Sequence, residues 1–303
     1  MRPRDLTRPL LILAASAVPA SAQWSSATLS EARYGPAAAA AGAKVLFAGG
    51  DCAAPSAPVD VYDTTSGAWS AAGLSEPRPL GAAATLGTRA FFAGGRTPAG
   101  ARDRIDLSDG ATDVRSPATL PTGQADAVGL SVGDKLLFGG GTTSSVTDLV
   151  QIYDDATGTW STATLSVPRN DMAGASVGSK ALFAGGWKNG ALASAAVDIY
   201  DDATGTWSTA QLSQARGSLT ATCVGHKVLF AGGSSGPLGD STVVDIYDDE
   251  TGTWSVATLS QPRGELRATS VGARALFAGG FDGVGGSPTD VVDVYDDRDG
   301  SWS

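Results

Sequence analysis

The stretch from residue 180 to residue 208 reads KALFAGGWKNGALASAAVDIYDDATGTWS and carries the signals that decide the fold. A short apolar run ends at the Gly185-Gly186 pair. A loop of small residues then leads into a second apolar run that ends at Tyr200, and a turn rich in Asp and Gly precedes Trp207. Short apolar runs separated by such turns predict β-strands rather than helices.

This pattern occurs six times along the chain. The Gly-Gly pairs stand at Gly49-Gly50, Gly94-Gly95, Gly140-Gly141, Gly185-Gly186, Gly232-Gly233 and Gly279-Gly280, at intervals of 45 to 47 residues. Tryptophans recur in register with them at Trp24, Trp69, Trp160, Trp207, Trp254 and Trp302. A fixed period of this length indicates a repeat architecture.

Each repeat contains four strand signals, which is the content of one β-propeller blade. The first strand is rich in Ala, Ser and Thr, which suits a crowded position at the axis, and the second is apolar on both faces, which suits a sheet held between two others. The Trp of the fourth strand fills the wider outer gap, burying roughly 150–250 Å². We therefore predict an all-β protein: a six-bladed β-propeller with four antiparallel strands per blade and essentially no helix after residue 22.

The repeats resemble the kelch motif in their Gly-Gly pair, the Val-Asp-Ile-Tyr-Asp run, the Gly-Thr-Trp-Ser segment and the Pro-Arg or Ala-Arg that follows. The resemblance covers nearly all of residues 23–303 and implies a kelch-type propeller. Repeat two departs from the pattern, with Ser108, Arg115 and Gln124 where the others have Tyr, Trp and Arg. We expect its blade to be the least well packed.

Residues 1–22 have the features of a cleaved signal peptide, with Arg2, Arg4 and Arg8 before a short apolar stretch and small residues at the end. We therefore predict two segments, a signal peptide at 1–22 and a propeller at 23–303, and a secreted or periplasmic protein. A membrane anchor or an unstructured tail is the alternative for residues 1–22. No other run approaches membrane-spanning length.

Composition narrows the possible ligands. Without residues 1–22 the chain keeps 18 basic and 30 acidic residues, a net charge of −12, which argues against a nucleic-acid partner. We expect no metal or other cofactor, because His226 is the single histidine and the cysteines have no metal-ligand spacing. This also argues against a copper enzyme like galactose oxidase. We expect no disulfide between Cys52 and Cys223, because the blades would separate them.

The candidate ligand site is the face that carries the Gly-Gly loops and the links between blades. Five links place an arginine there, and aromatic residues follow two of the Gly-Gly pairs. The ligand-binding candidates are Arg33, Arg78, Arg169, Arg216, Arg263, Trp187 and Phe281. The kelch resemblance agrees with a mouth position for the arginines, and guanidinium groups match carboxylates. The alternatives are that the arginines tie neighbouring blades together and that the aromatic residues cap their own loops.

Other polar positions have less distinctive patterns. The links also carry Tyr34, Asp126, Asn170, Asp171, Glu265 and Arg267, which differ between repeats. Acidic pairs such as Asp201-Asp202 occupy the turns of the opposite face. Calcium could bind carboxylates there, but Asp and Gly are also ordinary turn residues, and we predict solvated turns.

Three functions remain open. The first is a secreted binding module that recognises a polar or anionic ligand, either a glycan or a peptide, at one channel mouth. The second is a sugar-processing enzyme similar to kelch-type sialic-acid mutarotases, with Glu265 and Arg263 as candidate residues. The third is a structural or surface-display repeat protein. Of these we favour the binding module, without catalytic residues.

The two chain ends suggest how the ring closes. Repeat six has three complete strands but only residues 301–303 for a fourth, whereas residues 24–29 form a fourth strand that no other three precede. We expect residues 24–29 to complete the last blade and to displace Trp302.

Overall fold

The computed structural model describes residues 26–33, 35–50, 57–79, 81–110, 115–189, 192–236, 239–282 and 286–303. These residues form six four-stranded antiparallel sheets, which are the six blades of a β-propeller. They contain no α-helix. The predicted fold class is therefore confirmed, whereas the predicted signal peptide lies outside the described residues.

The strands of the first three blades follow the repeats. Blade 1 consists of Ala37–Ala41, Lys44–Ala48, Pro58–Asp63 and Trp69–Gly73. Blade 2 consists of Ala82–Leu86, Arg89–Ala93, Arg104–Asp109 and Arg115–Thr119. Blade 3 consists of Val128–Val132, Lys135–Gly139, Leu149–Asp154 and Thr159–Thr164.

The last three blades have the same plan. Blade 4 consists of Ala173–Val177, Lys180–Ala184, Ala196–Asp201 and Thr206–Gln211. Blade 5 consists of Thr220–Val224, Lys227–Ala231, Val243–Asp248 and Thr253–Thr258. Blade 6 consists of Arg267–Val271, Arg274–Ala278, Val292–Asp296 and Ser301–Trp302. The Gly-Gly loops of blades 2, 4 and 6 each add a hairpin of two-residue strands, namely Arg96–Thr97 with Gly100–Ala101, Trp187–Lys188 with Leu192–Ala193, and Phe281–Asp282 with Ser287–Pro288.

The Gly-Gly pairs are required by the way neighbouring blades meet. Gly185 and Gly186 have φ angles of +68° and +95°, which favour glycine. The Gly186 amide donates a hydrogen bond of 2.8 Å to the Arg216 carbonyl in the link to the next blade. A Cβ atom at Gly185 would lie 2.6 Å from that same carbonyl oxygen. The pair is therefore a junction between blades and not merely the end of a strand.

Two different faces of each sheet form the hydrophobic core between blades. We call the face toward the following blade the trailing face and the other the leading face. Between blades 4 and 5, the trailing side chains Leu182 and Val197 pack in one cluster with the leading side chains Val228, Phe230 and Tyr247. The blade 3–4 and blade 5–6 junctions use the equivalent residues.

The tryptophans of the fourth strands complete the leading faces, as expected. In blade 4, Trp207 is directly opposite Tyr200 in the strand register. Its ring centroid lies 5.2 Å from that of Tyr200 and 6.2 Å from that of Phe183. At a transfer free energy of about 25 cal/mol/Å², burying such rings is a large contribution to each junction.

The end of the blade series differs from the expectation. Trp302 is not displaced: it pairs with Tyr295 in the fourth strand of blade 6 and stacks on Phe277. Residues 26–29 form no strand, and residues 24 and 25 lie outside the described part. The predicted closure was wrong in this respect, because the short segment 301–302 already satisfies the register that residues 24–29 were expected to take.

Blade 6 consequently presents an open trailing face. Val271 is 70% exposed, whereas its counterparts Val132, Val177 and Val224 are buried by the blades that follow them. Within the described residues, no strand of blade 1 packs extensively against blade 6. Among the described residues, five apolar junctions join successive blades.

Candidate functional site

One face of the propeller carries the Gly-Gly loops and the links between blades, and we call it the mouth face. Strand alternation directs the Asp-rich turns to the opposite face. The same alternation places one link residue of every repeat beside the central channel, directly before the innermost strand.

The side chains of the five arginines predicted on this face are all fully buried. Arg169 illustrates their contacts: it donates to the carbonyl oxygens of Gly185, Ala196 and Phe183 and forms an ion pair with Asp198. The other aspartate partners occupy the equivalent third-strand position; the pairs are Arg33–Asp60, Arg78–Asp106, Arg216–Asp245 and Arg263–Asp293. Each arginine thus holds the link, the Gly-Gly loop and the third strand of its blade together.

Burial also affects the ionisation of these groups. It lowers the pKa of Arg169 to about 10, and the nearby Asp198 carboxylate opposes the shift. Burial lowers the pKa of Arg216 for the same reason, again against the effect of its aspartate. Both side chains remain cationic at neutral pH, so each ion pair is a buried charge that an opposite charge compensates.

Blade 3 shows that a neutral pair can replace this ion pair. Gln124 stands at the arginine position and Gln151 at the aspartate position. The Gln124 side-chain amide donates 2.6 Å to the Gly140 carbonyl, and the Gln151 amide donates 2.7 Å to the Gln124 side-chain oxygen. Both members of the pair have changed together, which preserves the hydrogen bonds without any charge.

The arginines therefore do not make the mouth surface basic. Their terminal NH groups donate to carbonyl and carboxylate oxygens inside the blades, which is the structural role considered as the alternative. A ligand-binding role for Arg33, Arg78, Arg169, Arg216 and Arg263 stays a prediction. The aspartate partners were not identified from the sequence, although a signal was present: the Asp of the Val-Asp-Ile-Tyr run is replaced by Gln151 only in blade 3, the blade whose arginine is replaced by Gln124.

A different set of link residues surrounds the channel mouth. Asp126, Asp171, Ser218 and Glu265 occupy the same position in blades 3 to 6 and all have φ between +51° and +56°. Blade 1 has Gly35 at this position, with φ +61°. A left-handed backbone is uncommon for residues other than glycine and costs roughly 1–3 kcal/mol. The four residues other than glycine at these positions therefore carry a conformational cost.

Hydrogen bonds connect these residues from blade to blade. The Ser218 amide donates to the Asp171 carbonyl at 3.2 Å, and the Glu265 amide donates to the Ser218 carbonyl at 3.0 Å. The Ser218 hydroxyl also donates to the Asp171 carboxylate at 2.8 Å. Asp126 forms an exposed ion pair of 2.8 Å with Arg96. The mouth is thus an ordered polar rim.

A cavity of about 230 Å³ opens in this rim between blades 4 and 6. Its polar lining side chains are Asp171, Ser218, Glu265 and Arg267, with Met172 and Leu219 beneath. We call it the mouth cavity. A larger groove of about 530 Å³ lies against the outer strand of blade 4, but Lys188 is the one charged side chain in its lining. The mouth cavity therefore has the denser arrangement of groups that can orient a ligand.

The two predicted aromatic residues differ in their relation to this cavity. The Trp187 indole N–H donates to the Ser218 hydroxyl at 3.2 Å, and its ring covers Gly217, where a Cβ atom would collide with it. Phe281 is 40% exposed and pairs through its backbone with Gly264. Trp187 thus holds Ser218, a lining residue of the mouth cavity, without lining the cavity itself, and Phe281 meets the link at Gly264, next to the lining residue Glu265.

The opposite face carries ion pairs between blades. Lys135, Lys180 and Lys227 each bind an aspartate of the following blade at 2.6–2.8 Å, namely Asp202, Asp249 and Asp297. These hydrogen bonds raise the pKa of all three lysines. Within the described ranges, no three His, Cys, Asp or Glu side chains are grouped to hold a metal ion. Other acidic residues of these turns are paired as well, such as Asp155 with Arg89 and Asp296 with Arg298, so the turns already have structural partners.

The remaining candidates lie away from the mouth. His226 is in an exposed turn beside Glu250. Cys223 is a half-buried free thiol, and burial raises its pKa. Cys52 and Tyr34 lie outside the described residues. The described part of the chain contains no helix with the length and apolarity needed to cross a bilayer.

The blade geometry and the repeat pattern together define the class of protein, a β-propeller made of kelch repeats. The kelch motif family model matches residues 215–259, which are the end of the link before blade 5 and the four strands of blade 5. The other five blades have the same design as the matched one, so the chain is a six-bladed β-propeller that carries the kelch motif. No curated protein sequence matches it.

A solved structure entitled "Structure of YjhT" is similar in fold. It superposes with a TM-score of 0.70 over 89% of this chain and 97% of that chain. The two sequences are 18% identical. At this identity the likeness concerns the fold alone.

Proposed function

We propose that this kelch propeller is an exported binding module that recognises a small polar ligand, in the first place a saccharide, in the mouth cavity. One observation carries the proposal: Asp171, Ser218 and Glu265, from three successive blades, line one cavity and all hold a left-handed backbone. Backbone strain of this kind concentrates at functional sites.

The chemistry of the cavity suits hydroxyl groups. Carboxylates accept hydrogen bonds from a sugar, and Arg267 and the Ser218 hydroxyl can donate to it. Trp187 provides an aromatic surface beside Ser218. A volume of about 230 Å³ is below the range of roughly 300–1,000 Å³ that drug-sized ligands occupy. The cavity therefore suits one small molecule or the terminal residue of a glycan.

The charge balance favours neutral or amino-substituted sugars over strongly anionic ligands. Two carboxylates line the cavity against one guanidinium group, and the buried arginines contribute no exposed donor. This differs from the expectation of a basic mouth. An anionic ligand would depend on Arg267 alone for a full opposite charge.

The binding test is a calorimetric titration of the full chain with neutral, amino and carboxylated sugars. Glu265→Gln keeps the size of the side chain but removes its charge, and we expect it to weaken binding by about tenfold to a hundredfold, the worth of a hydrogen bond to a charged group. Glu250→Gln on the opposite face is the matched control and should bind as the wild type does. Absence of binding to every sugar, or equal binding by both variants, would contradict the proposal.

Export is supported by the signal-like pattern of residues 1–22. N-terminal sequencing of protein recovered outside the cytoplasm should begin at Gln23. A retained Met1 in that fraction would count against cleavage.

A sugar-processing enzyme is the second candidate, because Asp171 and Glu265 line the same cavity and two carboxylates can share acid and base roles. Arg263 cannot clamp a substrate in this arrangement, since it is buried against Asp293; Arg267 would take that part. Proton NMR exchange spectroscopy on the two anomers of a sugar, recorded with the protein present, would detect accelerated mutarotation. A mutarotation rate equal to that of the free sugar would exclude the enzyme hypothesis and leave the binding module as the remaining candidate.

A further inference from the structure

The groove beside the fourth strand of blade 4, which the sugar site does not use, has a volume of about 530 Å³. We call it the outer groove. It lies within the range of roughly 300–1,000 Å³ that is usual for ligand pockets. Its lining includes Ser166 and Val167 of the link, Lys188 and Ser194 of the Gly-Gly loop, and the strand end 209–211. The outer groove is thus large enough for a ligand of its own.

The equivalent place in other blades is closed by a side chain of the link. In blade 5 the Ser241 hydroxyl donates 2.6 Å to the side-chain oxygen of Gln214. In blade 6 the Gln261 side-chain amide donates 2.6 Å to the Thr289 hydroxyl. Blade 4 has Val167 at the position of Gln214 and Gln261, and a valine side chain forms no hydrogen bond. The outer groove is therefore open where one side chain of the repeat has been replaced.

The replacement leaves a buried hydroxyl donor at the groove. Ser194 is 3% exposed and lines the outer groove. It corresponds to Ser241, because each residue's amide donates to the second glycine of its Gly-Gly pair and each hydroxyl accepts from the amide two residues later. The Ser241 hydroxyl also donates to Gln214, whereas the Ser194 hydroxyl has no acceptor within the described residues. A buried donor without an acceptor is costly, so an acceptor brought by a ligand is favoured here.

The fourth strand supplies backbone groups beside this hydroxyl. It is the outermost strand of blade 4, and the Leu212 amide that follows it donates to the Ala195 carbonyl at 2.8 Å. Because hydrogen-bonded pairs alternate in antiparallel strands, the backbone groups of Thr209 and Gln211 point away from the third strand. Residues 206–211 contain no charge and no proline, the features with which many sheets protect their edges. This edge can therefore pair with a further strand.

We propose that the outer groove binds an extended peptide that adds a strand to the edge of blade 4 and carries an acidic side chain. The carboxylate accepts the hydrogen bond of the Ser194 hydroxyl, as the Gln214 side chain accepts that of Ser241 within the chain. Lys188 is the one charged side chain of the lining, and its sign favours an acidic side chain over a neutral one. The peptide thus supplies from outside the acceptor that Val167 does not provide.

Fluorescence anisotropy with labelled peptides measures this binding to the full chain. The probe is an acetylated and amidated hexapeptide of alternating valine and threonine with glutamate at its third position, and matched peptides have glutamine, alanine or lysine there. The wild type should bind the glutamate peptide about tenfold more tightly than the alanine peptide, the worth of one hydrogen bond to a charged group. The lysine peptide should bind most weakly. Equal affinity for the glutamate and lysine peptides would overturn the proposal.

Val167→Gln is the most informative variant, because it gives blade 4 the side chain that closes the same place in blades 5 and 6. It should weaken binding of the glutamate peptide at least tenfold and raise the melting temperature, since Ser194 gains an acceptor within the chain. Val256→Gln, the same substitution at a 59% exposed position on the outer strand of blade 5, is the matched control and should bind the peptide as the wild type does. Lys188→Met should weaken the glutamate peptide more than the glutamine peptide.

Hydrogen-exchange mass spectrometry locates the bound peptide. The amides of Thr206–Gln211 should exchange more slowly in its presence, because the added strand covers the edge. Binding without this protection, equal binding by Val167→Gln and the wild type, or absence of binding to every peptide would each overturn the proposal. Val167→Gln should bind sugars as the wild type does, so failure of the peptide site is distinguishable from failure of the mouth cavity.

Discussion

In this account individual link residues determine what the mouth can bind, and the conformational free energy that their left-handed backbone costs can be measured. Glu265 has φ +56°, where blade 1 uses Gly35. Glu265→Gly should raise the free energy of unfolding by about 0.5–1 kcal/mol, because relief of the strained backbone exceeds the entropy that glycine adds to the unfolded chain. The same variant should lose saccharide binding. Denaturant unfolding and titration of one preparation test both, and a loss of stability would show that the side chain serves the fold.

The buried Arg–Asp pairs make a second prediction at the scale of single residues. Arg169→Gln alone leaves Asp198 as an uncompensated buried charge and should cost about 3–5 kcal/mol. Arg169→Gln with Asp198→Gln reproduces the Gln124–Gln151 pair of blade 3 and should recover most of that loss. A double-mutant cycle from urea unfolding gives the coupling energy. Additive losses would mean that the glutamine pair depends on other features of blade 3.

These residues also show what could be predicted from the sequence. The position of each arginine followed from the repeat period, but whether its side chain pointed into the blade or into the channel depended on one aspartate, 27 to 30 residues away. A single sequence contains that coupling only once, in the Gln124–Gln151 exchange. The left-handed backbone at Ser218 and Glu265 has no composition signal at all, because it is imposed by hydrogen bonds between neighbouring links.

At the scale of elements, strands and turns were the most predictable part. Their apolar runs are bounded by Gly-Gly pairs and Asp-rich turns in every repeat, and the structure has strands at those places. The fourth strand of blade 6 was the exception. The prediction preferred residues 24–29 as the fourth strand because this segment is longer than residues 301–303. In the structure Trp302 packs against Phe277 and Tyr295, so residues 301–302 pair with the third strand of blade 6.

The cross-blade ion pairs on the opposite face predict how stability depends on pH. The folded-state pKa of Lys180 is raised above its ordinary value of 10.5 by Asp249, so its contribution is complete below that pH and is lost as the pH rises through the folded-state value. The pKa of Asp201 is lowered, and the largest cause is the hydrogen bond that the Ser179 hydroxyl donates to its carboxylate. Its contribution is therefore present above about pH 4 and is lost on further acidification.

Melting temperatures should consequently form a plateau from about pH 5 to about pH 10 and fall on both sides. Lys180→Met should flatten the alkaline fall and slightly reduce the acid fall, because the charge of Lys180 also contributes to the lowered pKa of Asp201. The effect will be modest, because the side chains are partly exposed. If the melting temperature of Lys180→Met falls as steeply at alkaline pH as that of the wild type, then groups other than Lys180 cause the fall.

At the scale of the whole molecule, each blade should be stabilised chiefly by the blades that pack on its two faces. Blade 4 has a neighbour on both faces, whereas blade 6 has one. Because Arg267–Val271 is mostly exposed and Ala173–Val177 is mostly buried, amides of Arg267–Val271 should exchange with solvent faster than those of Ala173–Val177. Hydrogen-exchange mass spectrometry resolves the two strands. Equal protection would indicate that the trailing face of blade 6 is covered.

The central claim is that the mouth cavity of blades 4 to 6 is the ligand site, and a crystal structure of the full chain with its tightest-binding sugar tests it most directly. The account predicts density for the sugar within hydrogen-bond distance of Asp171, Ser218, Glu265 and Arg267, beside Trp187. A sugar bound instead at the outer groove of blade 4, or at the Asp-rich turns of the opposite face, would contradict it.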